Sequence, residues 1–245
     1  MQKSLEQEVG KMIFKEKYEQ ELMELLIEAN AISFGDYTLK TGRQSPFFIH
    51  SGAFDNGREL NILAKCYAAA IRHKFCRRHI DVIFGPAYKG IALASAVAMA
   101  TDTLYGDVIR YSSNRDPKDH GEKGDVLGSE IRDGDRVLIV DDVLTSGTSI
   151  YEAVEFLDKH ADVEILGAIV AIDRCERSEY NSSLSARVQV GRGCGFSIAP
   201  ILIMPDIVRY LHGSDIIDEA TAMRIAKYYD MYEPETGIPA PTRNI

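Results

Sequence analysis

Two adjacent carboxylates, Asp141 and Asp142, follow the apolar run VLIV at 137–140 and precede four small residues, Thr145, Ser146, Gly147 and Thr148. Carboxylates at the end of a buried strand can accept hydrogen bonds from sugar hydroxyls or hold a divalent metal. A Thr-Ser-Gly-Thr loop ahead of a helix can turn backbone N–H groups and hydroxyls toward one point, which makes an anion cradle at a helix N-terminus. The loop carries no lysine and no GxxxxGK[ST] pattern, so a nucleoside triphosphate is a poor candidate. A phosphorylated ribose fits both halves, with hydroxyls for the carboxylates and a phosphate for the loop. The plain alternative is an acidic strand end followed by a capped helix, with Ser and Thr satisfying free N–H groups.

The surrounding elements decide where these groups point. Residues 11–30 read as one amphipathic helix, with Leu22, Leu25, Leu26 and Ala29 at i, i+3, i+4 and i+7. DYTLKTGRQSPFFIHSG reads as two short strands about a Thr-Gly-Arg turn, and 59–75 as a second helix. IDVIFG is then a strand ended by Gly85-Pro86, KGIALASAVAMA a helix, DTLYGDVIRY a strand and DRVLIV a buried strand. Residues 148–160 form a helix and VEILGAIVAI a strongly apolar strand. Such runs separated by helices predict an α/β fold with an open, mainly parallel sheet covered on both faces. Ligands in that architecture bind beyond the carboxyl ends of the strands, where Asp141 and Asp142 fall. A last helix pair, near 206–212 and 215–230, precedes an irregular Pro-rich tail. The polar stretch YSSNRDPKDHGEKGDVL at 111–127 is expected to be a long mobile loop outside the core.

Bulk properties narrow the partners. The 245 residues suit one large domain, and the formal charge of −9 opposes non-specific binding to nucleic acid or anionic membrane. Cys66, Cys76, Cys175 and Cys194 include no CxxC pair, so neither a zinc ribbon nor a redox motif is indicated, and Cys66 reads as a buried free thiol. The polar N-terminus is no signal peptide and no apolar run reaches membrane-spanning length, which leaves a cytoplasmic enzyme or binding protein.

The hydrophobic strand, Asp-Asp and Thr-Ser-Gly-Thr together resemble the 5-phosphoribosyl-1-diphosphate signature of the type I phosphoribosyltransferases. Three further segments, and a strand end, resemble the orotate phosphoribosyltransferase family in particular, in the family's order from Phe34 to Arg174. FGDYTLKTGRQSPFFIHSG is similar to its orotate region, with Lys40 as the substrate-contacting lysine and Phe48 and Ile49 against the pyrimidine. FGPAYKGIALA is similar to its diphosphate loop, which makes Tyr88 and Lys89 the matching pair. RDPKDHGEKG is similar to its flexible catalytic loop, with Arg115, Lys118 and His120 as cations. AIDR places Arg174 where the family binds orotate. By the same resemblance the donor is held by Tyr88, Lys89, Asp141, Asp142, Val143, Leu144, Thr145, Ser146, Gly147, Thr148 and Ser149, and Thr145 also faces orotate.

The resemblance implies a type I fold with residues 1–57 as an N-terminal helix and small α+β hood, 58–230 as the core and 231–245 as a tail. It implies Mg²⁺ held mainly by the diphosphate and ribose, with no direct protein ligand assigned. It also implies a homodimer in which the loop at 115–124 completes the neighbouring site. The chemistry agrees, because displacing diphosphate from ribose C1 calls for cations around the leaving group and exclusion of water. Orotate is already an anion, so a cation such as Arg174 matters more than a strong base. Two positions depart from the family's pattern. Asp116 stands where a second basic residue follows the loop arginine, in a loop one residue shorter, so that a diphosphate contact is either missing or supplied from elsewhere, for instance by Lys123. His50 stands where asparagine is usual.

Blander readings stand beside these. Lys40 can be a solvated turn lysine, Tyr88-Lys89 an ordinary helix start, His120 a loop histidine, and Arg174 a surface ion-pair partner of Glu176 or Glu179. At the level of the whole protein the alternatives are a phosphoribosyltransferase for another base, a nucleic-acid-binding regulator on the same fold, and a ligand-sensing domain without catalysis. The regulator needs a basic face that this chain lacks.

Overall fold

The computed structural model describes residues 2–39, 42–75, 79–118, 124–178 and 183–234. The single helix expected at 11–30 is instead two, α1 (Gln2–Ile13) and α2 (Lys17–Glu28). The Glu19 carboxylate accepts the N–H groups of Lys15 and Glu16 at 3.1 and 3.2 Å, satisfying donors that a new helix start leaves free. Apolar periodicity runs straight through this break, so it carries no sign of it. Helix α1 docks far along the chain: Phe14 lies against Tyr210, with ring centroids 5.5 Å apart, and a Cβ on Gly213 would meet Val9 Cγ1 at 3.2 Å.

Strands β1 (Ile32–Thr38) and β2 (Gln44–Ile49) form the expected antiparallel hairpin, with Gly42 at φ 81° beside the turn. Asn56 caps α3 (Gly57–Lys74) by accepting from the N–H groups of Arg58 and Glu59. Helix α3 buries Cys66, and that burial pushes its thiol up to about 12. There follow β3 (Val82–Phe84), α4 (Lys89–Tyr105), β4 (Arg110–Lys118), β5 (Gly124–Gly128), β6 (Arg136–Leu144), α5 (Thr148–His160), β7 (Glu164–Asp173), α6 (Ala186–Cys194), β8 (Ile198–Ile203), α7 (Met204–Gly213) and α8 (Glu219–Tyr232).

The main sheet has the order β5-β4-β3-β6-β7-β8, parallel except for β5, which pairs antiparallel with β4. Alternate residues of the apolar strands serve two cores. Ile83, Leu138, Val140 and Ile169 face the larger one with α2, α3, α4, α7 and α8, while Val82, Phe84, Val137, Ile139 and Val170 face α5 and α6. Burial on both faces is why these strands read as unbroken apolar runs.

Several expectations are corrected. DTLYGDVIRY, expected as a strand, is split between helix and strand. Thr101 and Thr103 donate their hydroxyls to Val97 O and Met99 O one turn back, buried Thr101 packs within the helix, and α4 runs on until Gly106 ends it at φ 71°. The polar stretch at 111–127 is largely a β-ribbon, not a loop: β4 and β5 are its two arms, and Ser112 and Ser113 are buried. Ladder hydrogen bonds give this polar sequence an order that its composition does not suggest. Helix α6 and strand β8, absent from the sequence reading, hide behind glycines. A Cβ on Gly193 would stand 2.8 Å from the Tyr151 hydroxyl, and one on Gly191 3.0 Å from Phe196 O, so close packing rather than a turn sets both residues. The tail at 235–245 lies outside the described residues.

Candidate active site

Strand β6 does not stop before the carboxylates. It continues through Asp141 and Asp142 to Leu144, which anchors the strand end in the smaller core while half-buried Val143 packs on the larger. Asp141 is buried; its Oδ1 accepts the Asp142 N–H at 2.9 Å and its Oδ2 accepts the Ser149 hydroxyl. Burial, with the Asp142 charge beside it, pushes the Asp141 carboxyl up to about 6. The Tyr67 hydroxyl donates to Asp141 O at 2.6 Å, so α3 pins the strand at this point. Asp142 is more open and pairs with Lys89 Nζ at 3.1 Å. Lys89 also donates to the Ser51 hydroxyl, in the short turn after β2, and so joins three parts of the chain.

The loop after β6 turns at Gly147, whose φ of 81° and position against Val190 demand glycine: a Cβ there would stand 2.3 Å from Val190 Cγ2. Ser146 and Thr148 hydroxyls share a hydrogen bond of 2.9 Å, Thr145 is half-buried, and α5 begins at once. A helix start leaves N–H groups without intrahelical partners, and α5 starts beside these hydroxyls, in the stretch where the sequence leads one to expect an anion cradle.

The diphosphate-loop match sits between β3 and α4. Gly85 and Gly90 touch backbone to backbone, since a Cβ on Gly85 would lie 2.0 Å from Gly90 O. The Ala87–Tyr88 peptide is cis. Strand β4 supports the loop's outer side: Asn114 Oδ1 accepts the Ala87 N–H at 2.8 Å, and Asp116 Oδ2 accepts the Tyr88 hydroxyl at 2.6 Å.

The base side is assembled from more distant pieces. Strand alternation turns Phe48 and Ile49 to opposite faces: Ile49 joins the core, while Phe48 packs on Tyr37 and His50 on the more open side. His50 Nε2 shares a 2.8 Å hydrogen bond with the Ser33 hydroxyl. Arg174, at the end of β7, is 3% exposed rather than at the surface. Its Nε and Nη2 lie 2.7 and 2.6 Å from Glu176 Oε1, its Nη2 donates to the Ser45 hydroxyl at 3.0 Å, and its guanidinium stacks 4.2 Å over the Phe47 ring. Glu176 also takes Arg43 Nη1 at 3.2 Å. The ion pair weighed as the bland alternative is therefore present, buried and reinforced.

Of the expected cations, Arg115 lies on β4 and is half-buried, and Lys118 ends that strand with a side chain outside the described residues. Lys40 and His120 also lie outside them. Ser51, Tyr67, Asn114 and Glu176 belong to the site's frame, and no local motif marks them. Among the described residues no group of three or more His, Cys, Asp or Glu could hold a metal ion. The Asp141–Asp142 pair is the carboxylate set at the site. Nor is any described helix long and apolar enough to cross a membrane.

A strand-end carboxylate pair, a small-residue loop at a helix start and a lysine-bearing loop after the neighbouring strand β3 are an arrangement that suits a phosphoribosyltransferase. A phosphoribosyl transferase domain model matches residues 50–189, the span holding all three. The orotate phosphoribosyltransferase of Clostridium acetobutylicum is 44% identical over 223 residues, spanning 89% of this chain and 98% of the relative. That of Agathobacter rectalis is 41% identical over 224 residues, at 89% and 98% coverage. The crystal structure of orotate phosphoribosyltransferase from Francisella tularensis superposes with a TM-score of 0.72 at 29% identity, covering 86% of this chain and 98% of that one. The chain belongs to the orotate phosphoribosyltransferase family.

Proposed function

We propose that this protein transfers the 5-phosphoribosyl group of 5-phosphoribosyl-1-diphosphate to orotate, giving orotidine 5′-phosphate and diphosphate. The observation that carries the reading is the continuous strand–loop–helix in which Asp141 and Asp142 stand beside the Thr145–Thr148 cradle. The cradle holds the 5-phosphate, and the two carboxylates accept the ribose hydroxyls, which fixes C1 facing the base. Lys89, already bridging Asp142 and Ser51, can turn to the diphosphate as its charge grows on leaving. Orotate attacks C1 through a ring nitrogen as the C1–oxygen bond breaks; both electrons of that bond leave with the diphosphate, and the proton of the ring nitrogen passes to the departing diphosphate or to solvent. Arg174 is the cation nearest the place the family pattern gives to the orotate carboxylate, with Phe48 beside the ring.

Mg²⁺ fits this donor set as an ion held by the substrate's diphosphate and ribose oxygens near Asp141 and Asp142, where it would neutralise the leaving group. Lys40, Arg115, Lys118 and His120 enter the reading through the family pattern, as does a homodimer in which the ribbon tip serves the neighbouring site. A cytoplasmic setting belongs to the same reading.

The direct test mixes the protein with the phosphoribosyl donor, Mg²⁺ and a panel of bases. Loss of orotate absorbance, with purines and uracil untouched, is expected; turnover of another base alone would replace the assignment. Mixing Lys118→Ala with Asp142→Asn protein tests the shared site. Random reassortment makes half the dimers hybrid with one whole site each, so activity returns to roughly a quarter of wild type. A loop serving its own chain restores nothing.

A further inference from the structure

Asp116 is a charge in an unexpected place. It lies on β4 next to the diphosphate loop, where the leaving group gathers negative charge, and the family pattern has a basic residue there. Its carboxylate accepts the Tyr88 hydroxyl at 2.6 Å, and this bond holds the Tyr88 phenol above its ordinary value. Tyr88 is 71% exposed, so burial does not fix its ring. The neighbouring contacts belong to one system. Gly85 donates its N–H to Ser112 O at 3.0 Å, Ala87 donates to Asn114 Oδ1 at 2.8 Å, and Tyr88 donates to Asp116. Acceptors two residues apart along β4 thus take successive donors of the loop, as a strand's period of two allows. On the other side the backbone contact between Gly85 and Gly90 leaves no room for movement inward.

We propose that Asp116 is a positioning residue for donor binding. Through the Tyr88 hydroxyl it clamps the diphosphate loop to β4, so that the backbone at 88–89 and the Lys89 ammonium are aimed before the substrate arrives, while the Gly90 N–H closes the turn onto Pro86 O at 3.0 Å. A basic residue at this point would touch the diphosphate itself. Here the chain gives up that direct contact and has a preorganised loop in its place, with the hydrogen bond from Tyr88 spreading the carboxylate's charge. The inference rests on the reading above that this loop takes the diphosphate.

The test is a double-mutant cycle with steady-state constants for both substrates. Asp116→Ala should raise the donor KM about threefold to tenfold, the loss of one hydrogen bond, with kcat within about twofold and the orotate KM unmoved. Tyr88→Phe should do the same, and the double variant should be no worse than the poorer single one. Asp116→Asn keeps an acceptor and removes a charge, so its donor KM should equal wild type or fall below it. The proposal is overturned if Asp116→Ala leaves the donor KM at wild type, if the two effects multiply, or if Asp116→Asn is as poor as Asp116→Ala. Lys89→Ala, measured alongside, separates the two levels. An unchanged donor KM there removes the diphosphate-loop reading and the clamp together, whereas a raised one beside a wild-type Asp116→Ala overturns the clamp alone.

Discussion

Ser149 reaches Asp141 across eight residues, whereas Arg174 reaches Ser45 across 129. The carboxylate pair and the small-residue loop form one run of chain, β6 through the first turn of α5, with Tyr67 and Lys89 reaching in from α3 and α4. The base side gathers β2, the end of β7 and, through Phe47 against Tyr228 and Tyr229, helix α8. The first is preorganised by local geometry and survives small changes elsewhere. The second exists only when the tertiary structure does, and its central cation is also a member of the core. On the proposed assignment, holding the ribose phosphate and folding are largely separate tasks in this chain, while binding the base and folding are one task.

Substitutions can break or sharpen that contrast. The largest effect is expected from Arg174→Ala, which leaves the fully buried Glu176 with Arg43 as its remaining cation. Removing one partner of a buried pair costs about 3–5 kcal/mol, so denaturant unfolding should show a large loss together with weaker orotate binding. A variant of wild-type stability that lost orotate alone would dissolve the contrast. Gly147→Ala probes the opposite side. The left-handed backbone and the Val190 contact should cost about 2–4 kcal/mol and move the cradle, seen as a lower Tm with a raised donor KM.

Asp142→Asn should leave Tm unchanged within error, because the Lys89 pair is solvent-exposed and such pairs contribute little. Calorimetry with Mg²⁺ should show donor affinity lowered by roughly tenfold, about 1.4 kcal/mol. Equal affinity would make the carboxylate pair ornamental. The smallest effect is set by pH. Because the Asp141 carboxyl is raised to about 6, it is protonated below that value and loses its charge and one acceptor oxygen for ribose hydroxyls. Donor KM should rise about threefold to tenfold between pH 7 and pH 5. The stability sign is opposite: a raised carboxyl favours the protonated folded state, so its contribution is full below about pH 4 and is lost as pH rises toward 6. Thermal melts of Asp141→Asn against wild type across that window check it.

The same contrast governs what could be read in the amino-acid order. Asp141 through Ser149 was legible because its geometry is local, and the boundaries of α5 follow from Gly147 and the apolar period after it. The parallel sheet was legible through its double-sided apolar runs. Arg174 was legible as a position but not as a buried ion pair, since neither Ser45 nor Phe47 has a sequence relation to it. The pairing of β4 with β5 was hidden because ladder hydrogen bonds, not side-chain patterning, order the two strands. Glu19 capping α2 and the crowded glycines of α6 were hidden for similar reasons, since each answers to a neighbour rather than to a propensity.

The docking of α1 on α7 carries a consequence for how the chain comes into being. Val9 and Phe14 find Gly213 and Tyr210 near the other end of the described chain. Synthesis at about 5–20 residues per second separates the emergence of the two partners by roughly ten to forty seconds. Over that interval the apolar side of α1 has no place to pack. Helix α1 is thus made long before it is housed, and the nascent chain carries that face exposed until α7 follows it.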